Sequence, residues 1–93
     1  MAMTPEQIAS RSADTPDWQV VDGHQLERSF SFPDFVTALA FVNQVGEIAE
    51  ELDHHPDIQL SWGKVVVTVW THSEGGITDK DFGLADRTNK LLS

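Results

Sequence analysis

A chain of 93 residues, 40% of them hydrophobic, can pack one core and has no room for a second, so it reads as a single domain over residues 1–93. Six basic residues against fifteen acidic ones leave a net charge of −9, which repels nucleic-acid backbones and anionic lipid and argues against both as partners. With no cysteine, no signal pattern and no apolar run near the ~20 residues that span a bilayer, the chain has no disulfide or thiolate chemistry and reads as cytoplasmic.

Thr4-Pro5-Glu6-Gln7 predicts a helix start, with Thr4 as cap, Pro5 in the first helical position and Gln7 reaching back. Polar residues from Ser10 to Pro16 keep that helix short. Trp18 to Val21 predicts a short strand and Asp22-Gly23 a hairpin turn, with His24 a solvated turn residue. Leu26, Arg28, Phe30 and Phe32 then alternate with Glu27, Ser29 and Ser31 as the two faces of a second strand. Arg28 interrupts the apolar face, which puts it near an edge or beside a partner.

Phe35, Leu39, Val42, Val45, Ile48 (or Ala49) and Leu52 recur at spacings of three and four, predicting one buried helical face. That helix starts at Ser31–Asp34 and stops at Asp53-His54-His55-Pro56, because the residue before a proline is pushed out of the α region. Asp57 to Trp62 predicts a third strand, Gly63-Lys64 its turn, and the β-branched run Val65 to Thr71 a fourth. After Gly75-Gly76, Thr78 and Asp81 form a capping-box pattern, and Leu84, Ala85, Thr88, Leu91 and Leu92 continue at helical spacing.

The order α-β-β-α-β-β-α predicts an α+β fold, a four-stranded antiparallel sheet with three helices packed on one face. If Val65, Val67 and Val69 face the core, then Val66, Thr68, Trp70 and His72 share the other face. Val66 and Trp70 are then exposed unless a second subunit covers them, so a homo-oligomer, dimer or tetramer, is expected.

Three histidines stand where elements end: His54 and His55 after the long helix, His72 after the long strand. The negative end of the helix and the nearby Glu50, Glu51, Asp53 and Asp57 favour the imidazolium form of the adjacent pair, as a proton donor near neutrality requires. Capping is the plain alternative for the pair, and Asp81 alone reads as a helix cap. Zinc is a further alternative for three histidines, but adjacent imidazoles rarely aim at one ion, and no metal is expected. A neutral or weakly charged small molecule suits the acidic surface better than an anion.

The segment Glu50-x-x-x-His54-His55-Pro56, followed by Trp62, His72 and Asp81, resembles the signature of the pterin-4a-carbinolamine dehydratases. Five residues separate Pro56 from Trp62, nine separate Trp62 from His72 and eight separate His72 from Asp81, as in that family. The run from Trp18 through Gly23, Leu26, Arg28, Phe30 and Phe32 to Phe35 is similar to the family's first hairpin and helix entry.

The resemblance implies removal of water from a 4a-hydroxytetrahydropterin, the product of aromatic amino acid hydroxylases, to give quinonoid dihydropterin without a cofactor. It implies catalytic roles for His54, His55, His72 and Asp81, with Asp81 orienting His72. Pterin would be held by His54, His55, Pro56, Thr71, His72, Ser73 and Glu74, with Glu50 and Trp62 supporting. His54 and His72 are expected to transfer protons and His55 mainly to bind. Some relatives are non-catalytic dimerisation or assembly factors; the three retained histidines favour the enzyme here.

Overall fold

The computed structural model describes residues 1–92. Along the chain come α1 (Pro5–Ser12), β1 (Gln19–Val21), β2 (Gln25–Ser31), α2 (Phe35–Leu52), β3 (Asp57–Ser61), β4 (Lys64–Val69), a 3-10 turn (His72–Glu74) and α3 (Asp79–Lys90). This is the expected α-β-β-α-β-β-α order. The strands form one antiparallel sheet in the order β1-β2-β4-β3.

Register puts the apolar residues on one face. Leu26 pairs with Val69, Arg28 with Val67 and Phe30 with Val65, while Ile58 and Leu60 of β3 pair with Val67 and Val65 from the other side. The three helices cover that face, with Ile8 from α1, Phe41, Val45 and Ile48 from α2, and Phe82, Leu84 and Ala85 from α3 in the shared core. Arg28 carries a partner, as its position required. Its Nη1 donates to Asn89 Oδ1 at 2.6 Å, the same oxygen that accepts from Trp18 Nε1 at 2.8 Å, and its guanidinium lies over Phe30. Trp18 thus leaves the predicted first strand and becomes a buried wedge edge-on to Phe30.

The local signals hold where chemistry is local. Thr4 with Gln7, and Thr78 with Asp81, form complete capping boxes. Asp22 and Gly23 both take left-handed backbone (φ 54° and 65°), and the His24 N–H donates to Val21 O at 2.9 Å, a tight turn whose twist matches the paired strands. The β3–β4 turn, in contrast, is Trp62-Gly63, and Lys64 already pairs as the first residue of β4. Position 63 is glycine because a Cβ there would sit 2.7 Å from the Phe32 carbonyl oxygen.

The buried stripe of α2 matches the predicted one only in part. Val45, Ile48 and Ala49 are buried as expected, but Ala38 and Phe41 precede them in the core, whereas Phe35, Leu39 and Leu52 are exposed. Apolar residues cover two adjoining stripes with the same period. Phe41 decides between them, because its ring packs against Phe30 and Phe32. On the helix-free face, Val66 and Trp70 are half-buried within the single chain. Trp70 gains that cover from His24 and His72, whose rings lie 4.2 and 3.9 Å from its own. Among the described residues no helix is long and apolar enough to cross a membrane.

Candidate active site

The end of α2 sets the two adjacent histidines apart. Asp53 takes the left-handed conformation (φ 50°), its N–H bonds back to Glu50 O, and the His54 N–H bonds to Ala49 O at 3.0 Å. This closure usually employs glycine. It turns His54 inward, to 11% side-chain exposure, and leaves His55 at 56%.

Asp81 meets His54 from α3. Its carboxylate is fully buried, and Oδ1 lies 2.6 Å from His54 Nε2. The second oxygen accepts the Thr71 hydroxyl at 2.9 Å and the Thr78 N–H at 2.8 Å. Because Thr71 donates to the carboxylate, the 2.7 Å contact between the two threonine hydroxyls runs from Thr78 to Thr71. A buried carboxylate needs such donors, since each unmet lone pair would carry a desolvation cost. As a pure acceptor it also fixes the imidazole: the proton sits on Nε2, and Nδ1 is left facing away from Asp81.

The other two histidines have different partners. His55 Nε2 donates to Glu50 Oε2 at 2.5 Å on the surface. His72 makes no side-chain hydrogen bond among the described residues, and its ring stacks on Trp70 at an interplanar angle of 24°. Asp81 therefore serves His54, where the resemblance implied His72. The helix entry explains this: its capping geometry aims the carboxylate at the Thr71 hydroxyl and at His54 after the α2 terminus. A cavity of about 420 Å³ lies between the N-terminal segment, at Met1, Met3 and Gln7, and Thr71, Glu74 and Thr78; its lining includes none of the histidines. Among the described residues, no group of three or more His, Cys, Asp or Glu side chains is arranged to hold a metal ion.

The sequence model of the family described as pterin 4 alpha carbinolamine dehydratase matches residues 1–91. The chain belongs to this family. Similar proteins include one from Rubrobacter xylanophilus, 48% identical over 92% of this chain and 80% of its own length, and one from Marinobacter nauticus, 51% identical over 84% and 73%. Both are named "Putative pterin-4-alpha-carbinolamine dehydratase". A crystal structure from Brucella melitensis, described as a transcriptional coactivator/pterin dehydratase, superposes with a TM-score of 0.94 at 37% identity over the whole of both chains. A pterin dehydratase-like RuBisCO assembly factor of the alpha-carboxysome shares the fold, with a TM-score of 0.67 at 21% identity over 82% of this chain and 87% of its own.

As a member of the pterin carbinolamine dehydratase family the chain distributes its signature unevenly. His54, Asp81 and Thr71 converge, Glu50 joins His55, and half-buried Pro56 leads directly into β3. Ser73 and Glu74 are exposed on the 3-10 turn with His72. Trp62 is not brought to the histidines. It is exposed on the turn at the far end of β3, a strand rise of roughly 17 Å from Asp57. Sequence reasoning passed over Thr78 as more than a cap, and over the rings around Trp70. Alternation along the strand already set His72 on the face of Trp70; only strand register brings His24 to the same indole.

Proposed function

We propose that this chain dehydrates a 4a-hydroxytetrahydropterin to quinonoid dihydropterin by histidine acid–base chemistry. The observation that carries the reading is the buried pairing of Asp81 with His54 Nε2, made by a chain of the dehydratase family. The substrate bears a hydroxyl on a carbon adjacent to a ring nitrogen. That nitrogen's lone pair can expel the hydroxyl once an acid protonates the leaving oxygen. A base then takes the nitrogen-bound proton, and one water leaves with no net change of redox state.

His54 suits one of these transfers. Asp81 holds its Nε2–H, so Nδ1 is the nitrogen that exchanges a proton with substrate, and the ring cannot swivel while that bond lasts. His72, whose ring nitrogens have no hydrogen-bond partner among the described residues, suits the other transfer, and His55 with Pro56 would contact the pterin. Thr71, Ser73 and Glu74 border the same segment. An aromatic amino acid hydroxylase would supply the carbinolamine. Exposed Phe35, Val36 and Leu39 on α2 supply an apolar surface for a homo-oligomer, to be measured as mass in solution.

The test is a dehydration assay with synthetic 4a-hydroxytetrahydropterin. Wild type should accelerate water loss, and His54→Ala and His72→Ala should each lose about 10²–10⁴-fold in kcat. Full activity in His54→Ala would overturn the assignment. A wild type without activity would point instead to a non-catalytic scaffold role.

A further inference from the structure

His24 lies outside the family signature, on the hairpin turn between β1 and β2, yet it is held firmly. Two left-handed residues precede it, and its own N–H closes the turn onto Val21 O. Its Nδ1 lies 3.2 Å from Gln25 Oε1, and its ring centre lies 4.2 Å from that of Trp70. The β2–β4 register explains the meeting: Leu26 pairs with Val69, so continuing the ladder by one step sets Gln25 beside Trp70 and His24 next to it.

Trp70 in turn holds His72. The two rings stack at 3.9 Å and 24°, and among the described residues no side-chain hydrogen bond keeps the His72 ring in place. An exposed imidazole on a 3-10 turn samples several rotamers unless a neighbour selects one. The indole is that neighbour, and the indole's own orientation is restrained by His24. We propose that His24 is a positioning residue: through Trp70 it selects the rotamer in which His72 presents its ring to substrate. The inference rests on the reading of His72 as a proton-transfer residue and extends it to a side chain that touches neither substrate nor His72.

A single aromatic pair shifts a rotamer population by roughly three- to tenfold. The expected effect of His24→Ala is thus a fall of about that size in kcat with KM little changed, because the population of reactive geometry drops while pterin contacts remain. A structural readout is independent of turnover. The stacked indole shields the His72 ring protons, so in the NMR spectrum His24→Ala should move those signals toward the position of an unstacked imidazole. His24→Phe keeps a ring against Trp70 and should restore both the shifts and kcat, whereas a merely solvated His24 would show no such rescue.

Unchanged His72 signals in His24→Ala overturn the proposal, as does a shift in those signals with kcat intact. Failure of His24→Phe to improve on His24→Ala also overturns it. If wild type lacks dehydratase activity the functional reading falls separately, and the ring shifts still decide whether His24 positions His72.

Discussion

Oδ1 of Asp81 lies 2.6 Å from Nε2 of His54, with the carboxylate wholly buried and the imidazole nearly so. Asp81 therefore has two roles at once: it completes the cap of α3 through the Thr78 N–H and it fixes the tautomer of His54. The two roles separate by substitution. Asp81→Asn keeps an oxygen for the Thr78 N–H but removes the charge beside His54, and losing the group that fixes a catalytic imidazole's tautomer costs about 10²–10⁴-fold. We expect that loss in kcat with the fold intact. Asp81→Ala should in addition lower stability by about 1–3 kcal/mol, because Thr71 and Thr78 lose their buried acceptor. Urea denaturation read beside steady-state kinetics checks both.

The Glu50–His55 pair is a contrast, since both side chains are mostly exposed. Exposed pairs contribute little to stability, so Glu50→Gln should change it by no more than about 0.5 kcal/mol. A binding role for His55 predicts that His55→Ala raises KM and spares kcat. The reverse pattern, kcat lost at constant KM, would reassign His55 to proton transfer.

Gly63 is tested by its contact with the backbone. A Cβ at this position would meet the Phe32 carbonyl oxygen at 2.7 Å, and the same two residues share the Phe32 N–H to Gly63 O bond of 2.8 Å. Neither backbone can retreat without losing that bond. Gly63→Ala should destabilise by about 1–3 kcal/mol, seen as a lower urea midpoint at unchanged slope. A midpoint equal to wild type would show that the turn yields freely.

Asp34 caps α2, accepting the Thr37 N–H at 2.8 Å. Hydrogen bonds from Thr37, the hydroxyl first and the N–H second, hold the Asp34 carboxyl below its ordinary value of 3.8. A carboxyl with a depressed folded value contributes stability above its unfolded value, and that contribution fades as pH falls through the folded one. Asp34→Asn keeps a capping oxygen without the titration. The gap in Tm between wild type and Asp34→Asn should be constant near neutrality and close as the pH drops below the carboxylate range. A gap that stays constant into acid would remove the charged cap from the account.

Much of the architecture was legible in the chain because its cues are local. Caps at Thr4 and Thr78, the Asp22-Gly23 turn, the proline after His55 and the β-branched run of β4 each act within a few residues. The seven-position signature was legible for the same reason, being a matter of spacing. The start of the stripe on α2 was not. Phe35 with Leu39, and Ala38 with Phe41, lead equally well at helical spacing into Val45, and only the aromatic rings of β2 and its exit choose between them.

Residue order alone thus settled the succession of elements and the presence of three imidazoles at element ends, since backbone preferences and hydrogen bonds between near neighbours govern both. Partnership across the fold required three dimensions. Asp81 reaches His54 across 27 positions, and Trp70 receives His24 from another strand pair's turn. Such meetings depend on strand register and on how helix ends are aimed, which are products of the whole core packing at once and leave no periodic trace in the chain.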